Sequence, residues 1–235
     1  MARHPLRRTN ILSLGKPSKL HSQVIKLPEH QAIYHQIRDR ILFGDLVPGQ
    51  PVTIEGLREL IGCGMTPVRE AIRRLTAEGA LEAGGNRRVR VPEINCEMLD
   101  QLGFARISIE PHLAELGARR MTDDCLKALI GFDKAVDAAI ETGDIGAYLE
   151  NNYRFHFTLY DQAEAPVLAK IAASLWLQMG PSLRIVCGRF GTANLPDKHS
   201  EALRSLAAGQ AKACALAIED DIRQGLGQVR MTLLD

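Results

Sequence analysis

The sequence lacks a long apolar run and has few cysteines. These two features argue against a membrane-spanning protein and against a protein built around paired cysteines. No stretch of its 235 residues approaches the roughly 20 consecutive apolar residues that a membrane-spanning helix requires. Residues 3–10 lack the apolar segment of a signal peptide. The five cysteines are odd in number, widely spaced and without the CxxC spacing of a zinc knuckle or redox pair. We therefore predict a cytoplasmic protein, without membrane contact, whose cysteines are reduced.

The chain also lacks a strong net charge, but its charges are unevenly distributed. The formal net charge is +1. Residues 1–94 hold 15 lysines and arginines against nine acidic residues, whereas the remainder holds 14 against 19. A basic N-terminal part and an acidic C-terminal part indicate that the N-terminal part binds a polyanion and the C-terminal part does not. The length and the 46% hydrophobic content fit two modest domains better than one.

Residues 1–26 are basic and show little periodicity. They contain six lysines and arginines, no acidic residue and two prolines. This composition predicts a disordered basic tail. The tail can be a solvated leader, or it can be an arm that lies along DNA phosphates.

Residues 27–93 begin with two helical patterns. Apolar residues recur at helical spacing from Glu29 to Leu42. Thr53 then stands where it can cap a short second helix, which Gly62 ends. A short helix after a longer one, followed by a glycine-rich break, is typical of the first half of a helix-turn-helix.

A third helix and a hairpin follow. Thr66 can cap this helix with Pro67 at its first position, where the missing N–H is harmless. Residues 80–82 and 89–91 alternate like two short strands around a turn at 84–86. The order of elements predicts a winged helix-turn-helix over residues 27–93.

The remainder, residues 94–235, has helical periodicity throughout and no strand pattern. We predict six helices, near 97–120, 123–141, 144–162, 166–187, 195–208 and 211–233. Consecutive helices with short breaks predict an all-α antiparallel six-helix bundle. The predicted fold class is therefore mainly α, with an N-terminal winged helix-turn-helix and a C-terminal helical bundle over residues 94–235.

The third helix is the main evidence for DNA binding. In a helix-turn-helix, the N-terminal residues of the second helix enter the major groove, where arginine can bond bidentately to guanine. The predicted DNA-contacting residues are Arg58, Thr66, Pro67, Arg69, Arg73, Asn86, Arg87 and Arg88. The alternative is a solvated helix face whose arginines pair with Glu70 and Glu78.

Two stretches of this region resemble a known family. Residues 64–75, GMTPVREAIRRL, and residues 77–81, AEGAL, are similar to the signature of GntR-family transcription regulators. With the first helix and Pro48-Gly49, the resemblance covers residues 29–92. The family usually has Ser-Arg before Thr-Pro, so Gly64-Met65 removes one customary DNA-contacting arginine.

The helical region resembles the FadR-type ligand-binding domain of that family, in its FCD form. The similar stretches are 106–110 (RISIE), 151–156 (NNYRFH), 199–203 (HSEAL) and 218–222 (IEDDI). The resemblance implies a divalent metal at Asn152, His156, His199 and Asp221. Relatives have a carboxylate at the first of these positions and an imidazole at the last.

The residue types at these four positions leave three interpretations open. Asn152 and His156 are four residues apart and share one helix face. Two imidazoles and one carboxylate suit zinc, nickel or manganese. The two substitutions also suit a pocket that binds an organic ligand directly. In the third interpretation, His156 and His199 are hydrogen-bonded core residues.

Three further residues are candidates for effector binding: Arg106, Tyr153 and Arg184. In the family, the position of Arg106 often faces the same cavity, where a guanidinium can pair with a carboxylate effector. The alternative for Arg106 is an i,i+4 pair with Glu110 on the surface.

These features predict a homodimeric regulator, in the family more commonly a repressor, that binds a palindromic operator and responds to a small carboxylic acid. Two other functions remain open. One is a metal-dependent helical-bundle hydrolase or lyase that uses His156, His199 and Asp221. The other is an architectural DNA-binding protein that senses nothing.

Overall fold

The computed structural model describes residues 27–84, 88–189 and 196–234 of the chain. The predicted tail at 1–26 and the predicted DNA contacts of Asn86 and Arg87 lie outside these residues. None of the helices in the described ranges is both long and apolar enough to cross a membrane.

The first three helices form the predicted helix-turn-helix. They are α1 (Glu29–Leu42), α2 (Ile54–Ile61) and α3 (Met65–Ala77). The predicted cap of α2 is confirmed, because the Thr53 side chain accepts a hydrogen bond of 3.0 Å from the Gly56 amide. Gly62 ends α2 with a φ of +72°, a left-handed conformation that glycine adopts without steric cost.

The predicted cap of α3 is wrong. Gly64, in an extended conformation, occupies the cap position without a side-chain hydrogen bond, and the helix begins at Met65. Thr66 and Pro67 therefore lie within the first turn. The amides of the first turn have no acceptor inside the helix, so the missing N–H of Pro67 still costs nothing.

The wing is a small antiparallel sheet with one more strand than predicted. Its strands are β1 (Pro51–Val52), β2 (Glu82–Gly84) and β3 (Arg88–Arg90), in the order β1-β3-β2. The first predicted strand starts too early, because Ala80 and Leu81 are instead buried in the core. The two residues of β1 are too few to show an alternating pattern in the sequence.

The C-terminal part contains the six predicted helices. They are α4 (Cys96–Ala118), α5 (Asp123–Thr142), α6 (Ile145–Asp161), α7 (Pro166–Arg189), α8 (Lys198–Ala207) and α9 (Ala211–Leu234). α8 begins three residues later than predicted because Asp197 caps it, accepting a hydrogen bond of 2.8 Å from the Ser200 amide.

The bundle packs around a core of fully buried side chains. α4 packs along α9, α5 along α6, and α8 along α9. Leu113, Phe155, Leu159 and Ile218 are completely buried in one cluster. α4 and α6 also approach closely at Gly117, where a Cβ would overlap the carbonyl oxygen of Leu159.

We expect Gly117→Ala to lower the free energy of unfolding by on the order of 2–3 kcal/mol, because the added methyl forces α4 away from α6. The matched control is Gly131→Ala in α5, where a Cβ meets no atom within 4 Å. This substitution should stabilise the protein by up to about 1 kcal/mol through helix propensity. Urea unfolding measures both, and equal effects of the two substitutions would contradict the close contact.

The N-terminal unit packs on α7 of the bundle. Trp176 and Leu177 of α7 are buried in the same apolar cluster as Ile37 and Ile41 of α1. A Cβ at Gly180 would overlap the backbone of Leu42, so the helices meet without side chains between them at this point. The bundle therefore contributes directly to the core of the helix-turn-helix.

Candidate nucleic-acid interface and effector site

The surface of α3 that is predicted to contact DNA is open to solvent. Arg69 and Arg73 are exposed, while the opposite face buries Val68, Ala71 and Leu75. Packing of this apolar face fixes the helix and leaves its cationic face accessible.

The exposed arginines Arg69 and Arg73 of α3 make few ion pairs within the described part of the protein. Arg69 makes no ion pair with any residue that the structure describes. Arg73 donates a hydrogen bond of 2.8 Å to Glu70, and their side chains are 80% and 59% exposed. An ion pair this exposed contributes little, so Arg73 can exchange Glu70 for a phosphate.

The alternative interpretation is a solvated helix face whose arginines pair with glutamates of the same helix region. This interpretation fits Arg74 better than it fits Arg69 or Arg73. Arg74 donates a hydrogen bond of 2.9 Å to Glu78 and lies 3.6 Å above the Tyr34 ring. The other predicted contacts are accessible: Arg58, Thr66 and Arg88 are exposed, and Pro67 is half-buried.

Three of the four predicted metal ligands converge inside the bundle. α6 supplies His156, α8 supplies His199 and α9 supplies Asp221, and their potential ligand atoms all lie within 4.8 Å of one another. The two Nε2 atoms of the histidines are 3.4 Å apart. His156 Nε2 is 3.1 Å from Asp221 Oδ2. We call these three residues the His-His-Asp cluster.

Hydrogen bonds orient both imidazoles toward the same point. The hydroxyl of Tyr160 donates to Glu110 at 2.8 Å and therefore accepts from His156 Nδ1 at 3.1 Å. His199 Nδ1 lies 3.3 Å from Asp133 Oδ1 and donates to it. When both imidazoles are neutral, this network leaves a lone pair on each Nε2, and the lone pair of His156 also faces Asp221 Oδ2 at 3.1 Å. Lone pairs and a carboxylate oxygen that face one another are unfavourable alone, but they suit a cation between them.

The protonation tendencies of His156 and Asp221 suit a cation, and that of His199 opposes one. Burial lowers the pKa of His156, against the opposing hydrogen bond and charge of Asp221. Burial of Asp221 is outweighed by the hydrogen bond and charge of His156, and its pKa lies below the ordinary value. For His199, the hydrogen bond to Asp133 and nearby carboxylates outweigh burial and raise the pKa. His156 and Asp221 therefore favour the neutral imidazole and the carboxylate that bind a metal, whereas His199 would release a proton when a metal binds.

The fourth predicted ligand, Asn152, lines a cavity beside the His-His-Asp cluster. The cavity has a volume of about 350 Å³, and His199 and Asp221 also line it. Asp133, Asp137 and Tyr148 complete much of its wall. The residues present therefore offer two imidazoles, a carboxylate and an amide, a set that fits zinc, nickel or manganese.

Arg106 forms the predicted pair with Glu110, but the expected surface location is wrong. The two hydrogen bonds measure 2.5 and 3.2 Å, and the side chains are 5% and 0% exposed. Glu110 also accepts a hydrogen bond of 2.7 Å from the Trp176 indole. Arg106 is not among the residues that line the cavity described above.

The structure does not bring Tyr153 or Arg184 to the His-His-Asp cluster, and their role in effector binding stays a prediction. Tyr153 stacks on Phe157 with ring centroids 4.2 Å apart. It directly follows Asn152, so it points to a different side of α6. Arg184 lies against Gly44. Both residues belong to the contact between the helix-turn-helix and the bundle.

Four important residues were missed by the sequence reasoning: Glu110 as a buried acceptor, Tyr160, Asp133 and Trp176. Tyr160 is four residues after His156, so helical spacing could have indicated this contact, as it did for Arg106 and Glu110. No comparable signal connects Asp133 of α5 to His199 of α8, because this contact depends on tertiary packing.

Comparisons with known proteins agree with both halves of this structure. The family of bacterial regulatory proteins called gntR matches residues 29–91, and the FCD domain matches residues 101–224. The HTH-type transcriptional regulator McbR of Escherichia coli (strain K12) is 28% identical over 180 residues, which are 77% of this chain and 81% of McbR.

Solved structures share the fold. E. coli McbR/YncC superposes with a TM-score of 0.82 at 24% identity, covering 88% of this chain and 99% of that chain. A GntR transcriptional regulator from Rhodococcus sp. RHA1 gives 0.70 at 18% identity, covering 85% and 96%. These matches are to transcription regulators, not to the hydrolase or lyase considered above. The chain belongs to the GntR family of bacterial transcription regulators and carries an FCD ligand-binding domain behind its winged helix-turn-helix.

Proposed function

We propose that this regulator is a homodimeric repressor that binds a palindromic operator and leaves it when a small carboxylic acid enters the FCD domain. The observation that carries the sensing role is the convergence of His156, His199 and Asp221 beside a cavity of about 350 Å³. A cytoplasmic location is part of this proposal, because a bacterial regulator that binds DNA has to reach the chromosome.

A divalent metal held by the His-His-Asp cluster and Asn152 would supply a positive centre for the carboxylate of the effector. Asp133 and Tyr160 would keep the imidazoles in place. Lys198, which also lines the cavity, adds a cation near its edge. The cavity is large enough for a metabolite rather than for a metal alone.

A homodimer follows from the small contact area of one helix-turn-helix, which covers too few bases for useful specificity. Large apolar side chains are available for a partner on two adjacent helices. Phe104 of α4 is 77% exposed and Met231 of α9 is 53% exposed. A second copy that covers these side chains would give the two-fold symmetry of a palindrome.

The binding test uses the DNA upstream of the gene that encodes the protein, labelled for fluorescence anisotropy. Saturable binding that survives excess unrelated DNA, and that weakens when candidate carboxylic acids are added to the zinc-loaded protein, supports the proposal. Absence of any binding at low salt would defeat it, because the phosphate contacts are strongest there. A stoichiometry of one chain per palindrome would contradict the homodimer.

We expect Arg69→Ala to weaken operator binding by about 1–3 kcal/mol and to relax the preference for one base pair, because an arginine that bonds to guanine is lost. Arg204→Ala is the control, since Arg204 is exposed on α8 in the bundle. It removes the same charge and should leave affinity almost unchanged. Equal losses in the two variants would show that Arg69 acts only through net charge.

A further inference from the structure

A second cavity lies between the helix-turn-helix and the bundle. It has a volume of about 500 Å³ and is bounded by α1, α3, α6 and α7. Among the described residues, it shares no lining residue with the cavity beside the His-His-Asp cluster. α6 separates the two cavities, because Asn152 lines one and Tyr153 lines the other. We call the second one the joint cavity.

The wall of the joint cavity is largely apolar and aromatic. Leu42, Ile171 and Leu177 supply aliphatic surface, and Tyr34 and Tyr153 supply two rings. Tyr153 is held in place by its stacking on Phe157 and its edge contact with Phe43, at centroid distances of 4.2 and 5.9 Å. A cavity of this size with rigid aromatic walls is typical of sites for small organic molecules.

The charged groups of the joint cavity favour an anion. Its cations are Arg38, Arg74 and Lys170, and its acidic residue among the described ones is Glu78. Glu78 is already occupied, because it accepts from Tyr34 at 2.6 Å and from Arg74 at 2.9 Å. Arg38 is paired with Asp39, which lies outside the lining, so Lys170 is the lining cation for which the described residues supply no carboxylate.

Arg38 and Lys170 retain hydrogen-bond donors for a ligand. Arg38 uses Nε and Nη2 to bind Asp39, at 2.9 and 2.6 Å, which leaves its Nη1 donors available. Lys170 is exposed at the cavity and makes no ion pair with any residue in the described part of the chain. Both residues line the joint cavity, so an anionic group inside it has donors from Arg38 and Lys170 available.

We propose that the joint cavity is a second ligand site, distinct from the His-His-Asp cluster, which takes an organic anion with an aromatic or aliphatic body. The body packs on Tyr153 and Ile171, and the anionic group meets Lys170 and Arg38. Such a ligand contacts the helix-turn-helix and the bundle at once. It therefore stabilises their docked arrangement. In that arrangement, α3 has fewer orientations available to it.

The test is isothermal titration calorimetry with 1-naphthoate as the probe, on the full chain without DNA. We expect saturable binding that falls about tenfold in Lys170→Glu, since a charge inversion near the carboxylate changes attraction to repulsion. Lys212→Glu, an equal charge change on an exposed residue of α9, should bind like the unmodified protein. The neutral analogue 1-naphthamide should bind at least fivefold more weakly than 1-naphthoate.

The His199→Ala variant separates the two cavities, and its binding of 1-naphthoate should equal that of the unmodified protein. No saturable binding, or binding that Lys170→Glu leaves intact, would overturn the joint cavity as a ligand site. Binding lost in His199→Ala would overturn it as well, by placing the probe beside the His-His-Asp cluster. None of these measurements involves an operator, so they can fail while the proposed repressor function holds.

Discussion

Replacement of His199 by alanine is expected to weaken zinc binding on the order of a hundredfold or more, because it removes one of the converging imidazoles. The prediction rests on the orientation of His199, whose Nδ1 donates to Asp133 and whose Nε2 faces that of His156 at 3.4 Å. The affinity is measured on chelator-stripped protein by competition with a chromophoric zinc indicator. Nickel and manganese can be measured in the same way.

A histidine outside the cluster provides the matched control for zinc binding. His112 is exposed on α4, so His112→Ala should keep the original zinc affinity. If the unmodified protein binds zinc no better than His199→Ala does, the metal-bearing interpretation is wrong. The cavity would then bind its ligand directly through Asn152, His156 and Asp221.

A substitution at Asn152 tests the same metal site by raising zinc affinity, where His199→Ala lowers it. The FCD resemblance places a carboxylate at this position, and the structure places Asn152 on the cavity that Asp221 lines. Asn152→Asp adds a negative oxygen ligand, so zinc affinity should rise by about tenfold or more. An unchanged affinity would indicate that position 152 does not reach the metal in this protein.

Buried hydrogen bonds connect the His-His-Asp cluster to Trp176, and apolar packing connects Trp176 to the DNA-binding unit. His156 contacts Tyr160, and Tyr160 donates to Glu110, which also accepts from Trp176. Trp176 in turn packs in the apolar cluster of α1. A ligand that moves His156 can therefore bias the packing of the helix-turn-helix, provided that it binds the two arrangements with different affinities.

Trp176 also provides a direct reporter of this connection, because it is the single tryptophan of the sequence. Its indole lies beside the guanidinium of Arg106, 4.5 Å from the ring centroid, and bonds to Glu110. Any change in Glu110 alters the polarity around the indole. Fluorescence of Trp176 can thus follow events at the cluster without a label.

Local sequence features predicted the helices well. Thr53, Asn95, Thr122 and Asp144 each accept a hydrogen bond from the backbone of the helix that follows, so the chain marks most helix starts by itself. Neither α1 nor α3 has a side-chain cap, and in α3 Gly64 takes the cap position that Thr66 was expected to hold. Capping by an extended glycine depends on backbone geometry, which residue type alone does not determine.

The site was less predictable, because its geometry depends on how helices face each other. The resemblance to FCD domains indicated His156, His199 and Asp221, which lie together in the structure. It did not indicate the side of α6 on which Tyr153 lies. Asp133 reaches His199 only through the packing of α5 against α8, and helical spacing within one element cannot reveal such a contact.

Glu110→Ala is expected to destabilise the protein by about 3–5 kcal/mol, because it leaves Arg106 as a buried cation without a partner. The Arg106 side chain is only 5% exposed, so little of it can be solvated in place of the lost partner. The substitution also removes the acceptor of Tyr160 and Trp176. Urea unfolding, followed by circular dichroism at one fixed protein concentration, measures the loss.

The double variant Arg106→Leu/Glu110→Leu separates the cost of the unpaired charge from the value of the ion pair. Replacement of both partners by apolar residues of similar size avoids the buried charge, so this variant should be clearly more stable than Glu110→Ala. It should remain below the unmodified protein, because the Tyr160 hydroxyl and the Trp176 indole still lack their acceptor. If Glu110→Ala loses less than about 1 kcal/mol, the pair behaves like a solvated surface pair and Glu110 cannot connect the cluster to Trp176.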